Sequence, residues 1–110
     1  MKKLKIILIF LVTLQILVSC SIIKDGAIIG AHNAFQKGDY IHSIKEIDVV
    51  LSQYDFDDNT RASLIYLKAK NLEKLNEPAQ AMSLYNYLVE KYPDTESSYM
   101  ARAVLQNSGL

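Results

Sequence analysis

The chain has 110 residues and one cysteine, Cys20, so no disulfide can close within it and no second thiol is at hand to share a zinc ion. Histidines are equally scarce. His32 and His42 are the two present; no HExxH run joins them and no aspartate stands at ligand spacing, so no metal or other cofactor is expected. Asp55, Asp57 and Asp58 resemble the start of a calcium loop, but the following glycine and the distal glutamate are missing. Gly26 and Gly30 stand too far from any other glycine to cradle a phosphate, and Ser19-Cys20-Ser21 is not a nucleophile elbow. Charge of one sign is lacking as well. Twelve basic residues balance 12 acidic ones, which argues against a surface that tracks nucleic-acid phosphates. Sustained strand alternation is also missing. These absences exclude most enzyme classes and leave an all-α chain that is not expected to catalyse anything.

What is present starts at the amino terminus. Met1-Lys2-Lys3-Leu4-Lys5 is basic, and Ile6 to Val18 is apolar apart from Thr13 and Gln15. A basic start before a short apolar run reads as a secretory signal. The run falls short of the roughly 20 residues that span a bilayer, although a permanent anchor helix is the competing reading. Loss of residues 1–19 would take Lys2, Lys3 and Lys5 with it, leaving nine basic against 12 acidic residues, a net charge of −3. The apolar run ends in Leu17-Val18-Ser19-Cys20, which resembles the bacterial lipobox. That resemblance implies a diacylglyceryl thioether on Cys20, cleavage before it and acylation of the new amino terminus. One acyl chain holds only marginally, at about 0.8 kcal/mol per buried CH₂, so several chains give a firm anchor. Ser21 follows the cysteine in place of the aspartate that retains many lipoproteins at the inner membrane, which implies outer-membrane attachment facing the periplasm in a cell with two membranes.

Residues 20–25 read as the lipidated cysteine and a brief tether, and residues 26–110 as one helical domain. Its 3.6-residue period is plain. Tyr40, Ile44, Ile47, Leu51 and Tyr54 form one stripe; Ala62, Ile65, Ala69 and Leu72 a second; Ala81, Leu84, Tyr85, Leu88 and Tyr92 a third. Gly38-Asp39 offers a left-handed helix end followed by a cap, and the 55–60 segment offers several caps. The two prolines sit at helix boundaries: Pro78 in a first turn, Pro93 after a last one. The pattern predicts helices at about 26–37, 40–54, 60–75, 78–92 and 96–106.

The helices pair, and the pairs recur. Ser43 and Ala81 are 38 residues apart, near the 34-residue tetratricopeptide period. Through Ala31, Ala34 and Gly38-Asp39-Tyr40, and again through Tyr66, Ala69, Leu72, Ala81, Tyr85, Leu88 and Pro93, the chain resembles the tetratricopeptide family. It departs from the pattern at Pro78, where an aromatic is usual, at Ser43 and Val50 in place of alanines, and at Asn76 in place of a glycine. The resemblance implies about two helix pairs plus a terminal helix, stacked as a helical repeat; a generic helical bundle is the competing reading. The Tyr85–Thr95 segment with Tyr99 and Ala103 is similar to repeats of lipoproteins that assist outer-membrane barrel assembly.

Mapped by that resemblance, His32, Gln36, Tyr66, Lys70, Glu73 and Lys74 face a protein-binding groove. A second candidate surface is the end helix, where Tyr99 and Ala103 are expected to pack inward and Met100, Val104 and Leu105 to lie partly exposed. The expected function is a lipid-anchored adaptor or scaffold for other envelope proteins in assembly or export, with self-association through the end helix as one form of docking. The alternative is a helical accessory subunit that regulates an envelope enzyme. No nucleic-acid partner is expected.

Overall fold

Helix boundaries in this chain are set by a small number of side chains. In a computed structural model, the backbone of residues 1–108 and the side chains of all of these except 15–23 are described. The described residues form α1 (Lys2–Gln36), α2 (Tyr40–Gln53), α3 (Asp58–Lys74), α4 (Pro78–Lys91) and α5 (Glu96–Asn107), with no strand among them. The all-α class expected from the period is what is observed. Cys20 has its backbone in α1, and its side chain lies outside the described residues.

One boundary differs from expectation. The helix predicted to open at Gly26 begins instead at Lys2, and the stretch read as a tether is part of it. No proline falls between residues 2 and 36, and a glycine inside a helix costs about 0.5–1 kcal/mol without breaking the hydrogen-bond ladder. Residues 1–14 are exposed along their length, and Thr13 turns its hydroxyl back to Ile9 O at 3.1 Å and Phe10 O at 2.9 Å. Among the described residues no helix is long and apolar enough to cross a membrane.

The ends of α1 and α3 close in the same way. Gly38, at φ +82°, donates its N–H to Phe35 O at 3.1 Å, and Asp39 N–H reaches back to Ala34 O at 2.9 Å. Thirty-eight residues on, Asn76 at φ +58° donates to Glu73 O at 3.1 Å and Glu77 to Leu72 O at 2.9 Å. Both are left-handed closures of the Schellman type, one with the residue that adopts that conformation freely and one with the next most tolerant. Helix starts also match. Asp57 Oδ1 accepts from Thr60 N–H at 2.7 Å, and Thr95 Oγ1 accepts from Ser98 N–H at 3.2 Å. Asp39 does the same for His42 at 3.3 Å, whereas α4 opens on Pro78 without a side-chain cap.

Packing centres on α3, which is apolar on two sides. Ala62, Ile65, Ala69 and Leu72 meet Ala81, Tyr85 and Leu88 of α4 and Ala101 of α5. Leu64 and Leu67 meet Ala31 of α1 and Ile47 and Val50 of α2. A polar link crosses this second cluster. Ser43 Oγ donates to Ala31 O at 2.8 Å, and Asn71 Nδ2 donates to Ser43 Oγ at 2.9 Å and to Leu67 O at 3.0 Å. Ser43 and Asn71 are fully buried, and Asn71 Oδ1 has no hydrogen-bond partner among the described residues. The link ties α1, α2 and α3 in one register, because an unpaired amide hydrogen in an apolar setting costs more than a made bond gains.

Candidate functional site

Helix α1 packs on α2 and α3, and α3 packs on α4 and α5, while α2 and α4 do not approach each other. α3 therefore has α1 on one side and α5 on the other, and its remaining face is turned outward. On α3 that face is the i, i+3, i+4 row Asn59, Ser63, Tyr66, Lys70, Glu73 and Lys74, none of them buried. On α1 the corresponding row ends in His32 and Gln36, both exposed.

Three of the six predicted groove residues form a connected cluster. Tyr66 stacks at a tilt on Tyr85 of α4, ring centroids 5.6 Å apart and planes at 52°. The Tyr85 hydroxyl donates to Glu73 Oε2 at 3.0 Å, and Lys70 Nζ stands 3.4 Å from the same oxygen. Burial pushes the Tyr85 hydroxyl far above the ordinary tyrosine range, and the Glu73 carboxylate beside it pushes the same way. It therefore stays protonated and serves as a permanent donor that orients Glu73. Lys70 and Glu73 are partly exposed, so the face presents a fixed carboxylate, an ammonium group and an aromatic edge within about two turns of α3. Lys74 lies exposed at the end of α3, and no hydrogen bond or ion pair among the described residues joins His32 or Gln36 to the cluster.

Between α3 and α5 the same face deepens into a cleft of about 530 Å³, lined by Asn59, Ser63, Glu96, Ser97 and Met100. Sequence reasoning found Met100 and missed the other four. Ser63 stands three and seven residues before Tyr66 and Lys70, so extending that stripe one turn toward the helix start would have found it.

The end helix is rotated relative to the expectation. Ser98 and Ala101 are fully buried and Ser97 nearly so, whereas Tyr99 is 59% exposed and Ala103 is also exposed. Val104 and Leu105 are half-buried against the α3–α4 cluster, and Met100 remains 38% exposed. Tyr99 and Ala103 thus do not pack on the preceding pair. Small side chains at 97, 98 and 101 let α5 approach closely, and that approach outweighs burying the larger Tyr99 ring. Instead Arg102 lies over that ring at 5.3 Å and donates to Pro93 O at 3.3 Å. The outward apolar residues of α5 are Tyr99, Met100 and Ala103.

The chain matches no known protein family, curated protein or solved structure. Among the described residues no three of His, Cys, Asp and Glu stand together as a metal site. His42 faces Glu46 at 3.5 Å within one helix, Asp57 is occupied as a helix cap, and Asp55 offers its backbone carbonyl to Lys24 Nζ at 2.8 Å. The face of α3 thus combines polar side chains and a held carboxylate with the cleft beside α5.

Proposed function

We propose that this chain is a lipid-anchored, protein-binding adaptor of the cell envelope, with a tetratricopeptide-like helical repeat and a binding face formed by α1, α3 and α5. The observation that carries the reading is the 38-residue recurrence of structurally equivalent positions. Gly38 and Asn76 close α1 and α3 in the left-handed conformation, and Asp57 and Thr95 cap the starts of α3 and α5. Ala31 and Ala69, Ser43 and Ala81, Ile47 and Tyr85, and Val50 and Leu88 fill matching buried sites. A repeat of this kind stacks its units along one axis and leaves one helix of each unit lining a shared face, the usual peptide-binding surface of such arrays.

The anchor belongs to the same reading. Its support is the basic start, the apolar run and the Leu17-Val18-Ser19-Cys20 ending, with Ser21 after it favouring the outer membrane and a domain in the periplasm. Photo-crosslinking from Tyr66 and, separately, from Glu90 in native membranes tests the face. A partner captured from Tyr66 on α3 and not from Glu90, an exposed residue of α4, is the expected result. Equal capture from both positions refutes the face. Recovery of a hydrolase or synthase would make the chain a regulatory subunit; assembly or export machinery would make it an adaptor.

A further inference from the structure

Two ends of the helical body differ. The α1–α2 and α3–α4 turns, at Gly38 and Asn76, lie together at one end, and the α2–α3 and α4–α5 loops, at 54–57 and 92–95, lie at the other. α1 enters the body at the loop end. Lys24 Nζ donates to Asp55 O at 2.8 Å and stands 4.4 Å over the Phe56 ring, and Ala27 and Ile28 pack half-buried against the Ile47–Val50 cluster. Resting on the reading of Cys20 as the lipidated residue, this placement has a geometric consequence. Three residues separate Cys20 from Lys24, so whatever their conformation the anchor lies within about 14 Å of the Lys24 backbone.

We propose that the loop end is the membrane-facing surface of the domain, its occupant being the lipid headgroup layer, and that the Gly38 and Asn76 turns point away from the bilayer. α3 has 17 residues and spans about 25 Å, so the whole α1–α3–α5 face lies within about 40 Å of the membrane. Its partner is then a protein that is itself membrane-embedded or held at the membrane surface. Because the mature chain is acidic overall, attraction to anionic lipid does not hold the body flat, and the position of the anchor sets which end faces the bilayer.

The test uses the full-length acylated protein in vesicles of phosphatidylethanolamine and phosphatidylglycerol that carry a headgroup quencher. Single fluorophores are placed at Asp94→Cys, in the α4–α5 loop, and at Lys37→Cys, beside the Gly38 turn; acylation of Cys20 leaves the introduced thiol the only free one. The Asp94 position is expected to be quenched several-fold more than the Lys37 position. Inserting about 20 Gly/Ser residues between Ile23 and Lys24, with a span of about 25 Å, is expected to erase most of that difference. Equal or reversed quenching in acylated, vesicle-bound protein overturns the orientation and leaves the anchor standing. A ratio unmoved by the insertion overturns the role of the short distance between Cys20 and Lys24. An amino-terminal peptide whose mass shows no acyl group on Cys20 overturns the anchor and this inference with it.

Discussion

Replacing Ser43 with alanine removes one oxygen from the middle of the domain and should destabilise it far more than a single hydroxyl suggests. Two bonds depend on that atom: its own donation to Ala31 O at 2.8 Å and the one it accepts from Asn71 Nδ2 at 2.9 Å. Ala31 O keeps its place in the α1 ladder, so losing the first bond costs about 1 kcal/mol. The second loss is larger. Asn71 is fully buried, its other amide hydrogen is committed to Leu67 O, and the freed hydrogen is shut off from bulk solvent, which adds about 1–3 kcal/mol. Ser43→Ala is therefore expected to cost about 2–4 kcal/mol, a large share of the 5–15 kcal/mol typical of a domain and about 10–25 °C in Tm at this size. With Asn71→Ala already in place no amide remains to be stranded, and the same Ser43→Ala change should cost only about 1 kcal/mol. Urea unfolding of the four proteins of this double-mutant cycle, lacking residues 1–19, measures the coupling. Costs for Ser43→Ala that agree within about 0.5 kcal/mol in the two backgrounds would refute the view that these residues act as one link.

Asn76→Ala, at φ +58°, should destabilise by about 1–2 kcal/mol, whereas Asn76→Gly should not, as read by thermal unfolding. The backbone and side-chain hydrogen bonds from Thr60 hold the Asp57 carboxyl below its ordinary value of 3.8, so its contribution to stability is fully present above that pH and lost as the pH falls through the lower folded value. Asp57→Asn keeps a capping oxygen without a charge, and should flatten the decline in stability measured between about pH 5 and 2. Cys20→Ala should leave the circular dichroism of the domain unchanged while releasing it from the membrane fraction; continued sedimentation with membranes would count against the lipid anchor.

Much of this fold was legible because its signals are local. Helix ends marked by Gly38, Pro78 and Pro93 fell within about two residues of their expected places, since caps and breakers act through the few residues around them. α1 was misjudged at its start because Gly26 weakens a helix without stopping it. The stripe Ala62, Ile65, Ala69, Leu72 was found, but the second one, through Leu64 and Leu67 with the buried Asn71, was not. A helix apolar on two sides has no single stripe to read, and an asparagine in it looks like a surface residue until its partner Ser43 is brought alongside. The face of α5 was misplaced for a related reason. Tyr99 and Ala103 were placed inward as the start of a third repeat unit, whereas the interior positions went to Ser98 and Ala101, whose smallness matters only in the presence of α4. Tyr66, Lys70 and Glu73 were predicted as a row on one helix; that Tyr85 holds the glutamate in place depends on contact between two helices.

The double-sided α3 also bears on how the domain comes apart. With Leu64 and Leu67 committed to one neighbour pair and Ala62, Ile65, Ala69 and Leu72 to the other, opening either pair strips one side of α3 of its cover. In a repeat array with weak contacts between units, end units fray independently, and amide exchange falls into separate classes. Here the interface between units is a helix that belongs to both, so the slowest-exchanging amides of α2, α3 and α4 should share one opening free energy. A chain cut after Lys74 would keep α3 but expose its second side, and is expected to aggregate rather than persist as a half-domain.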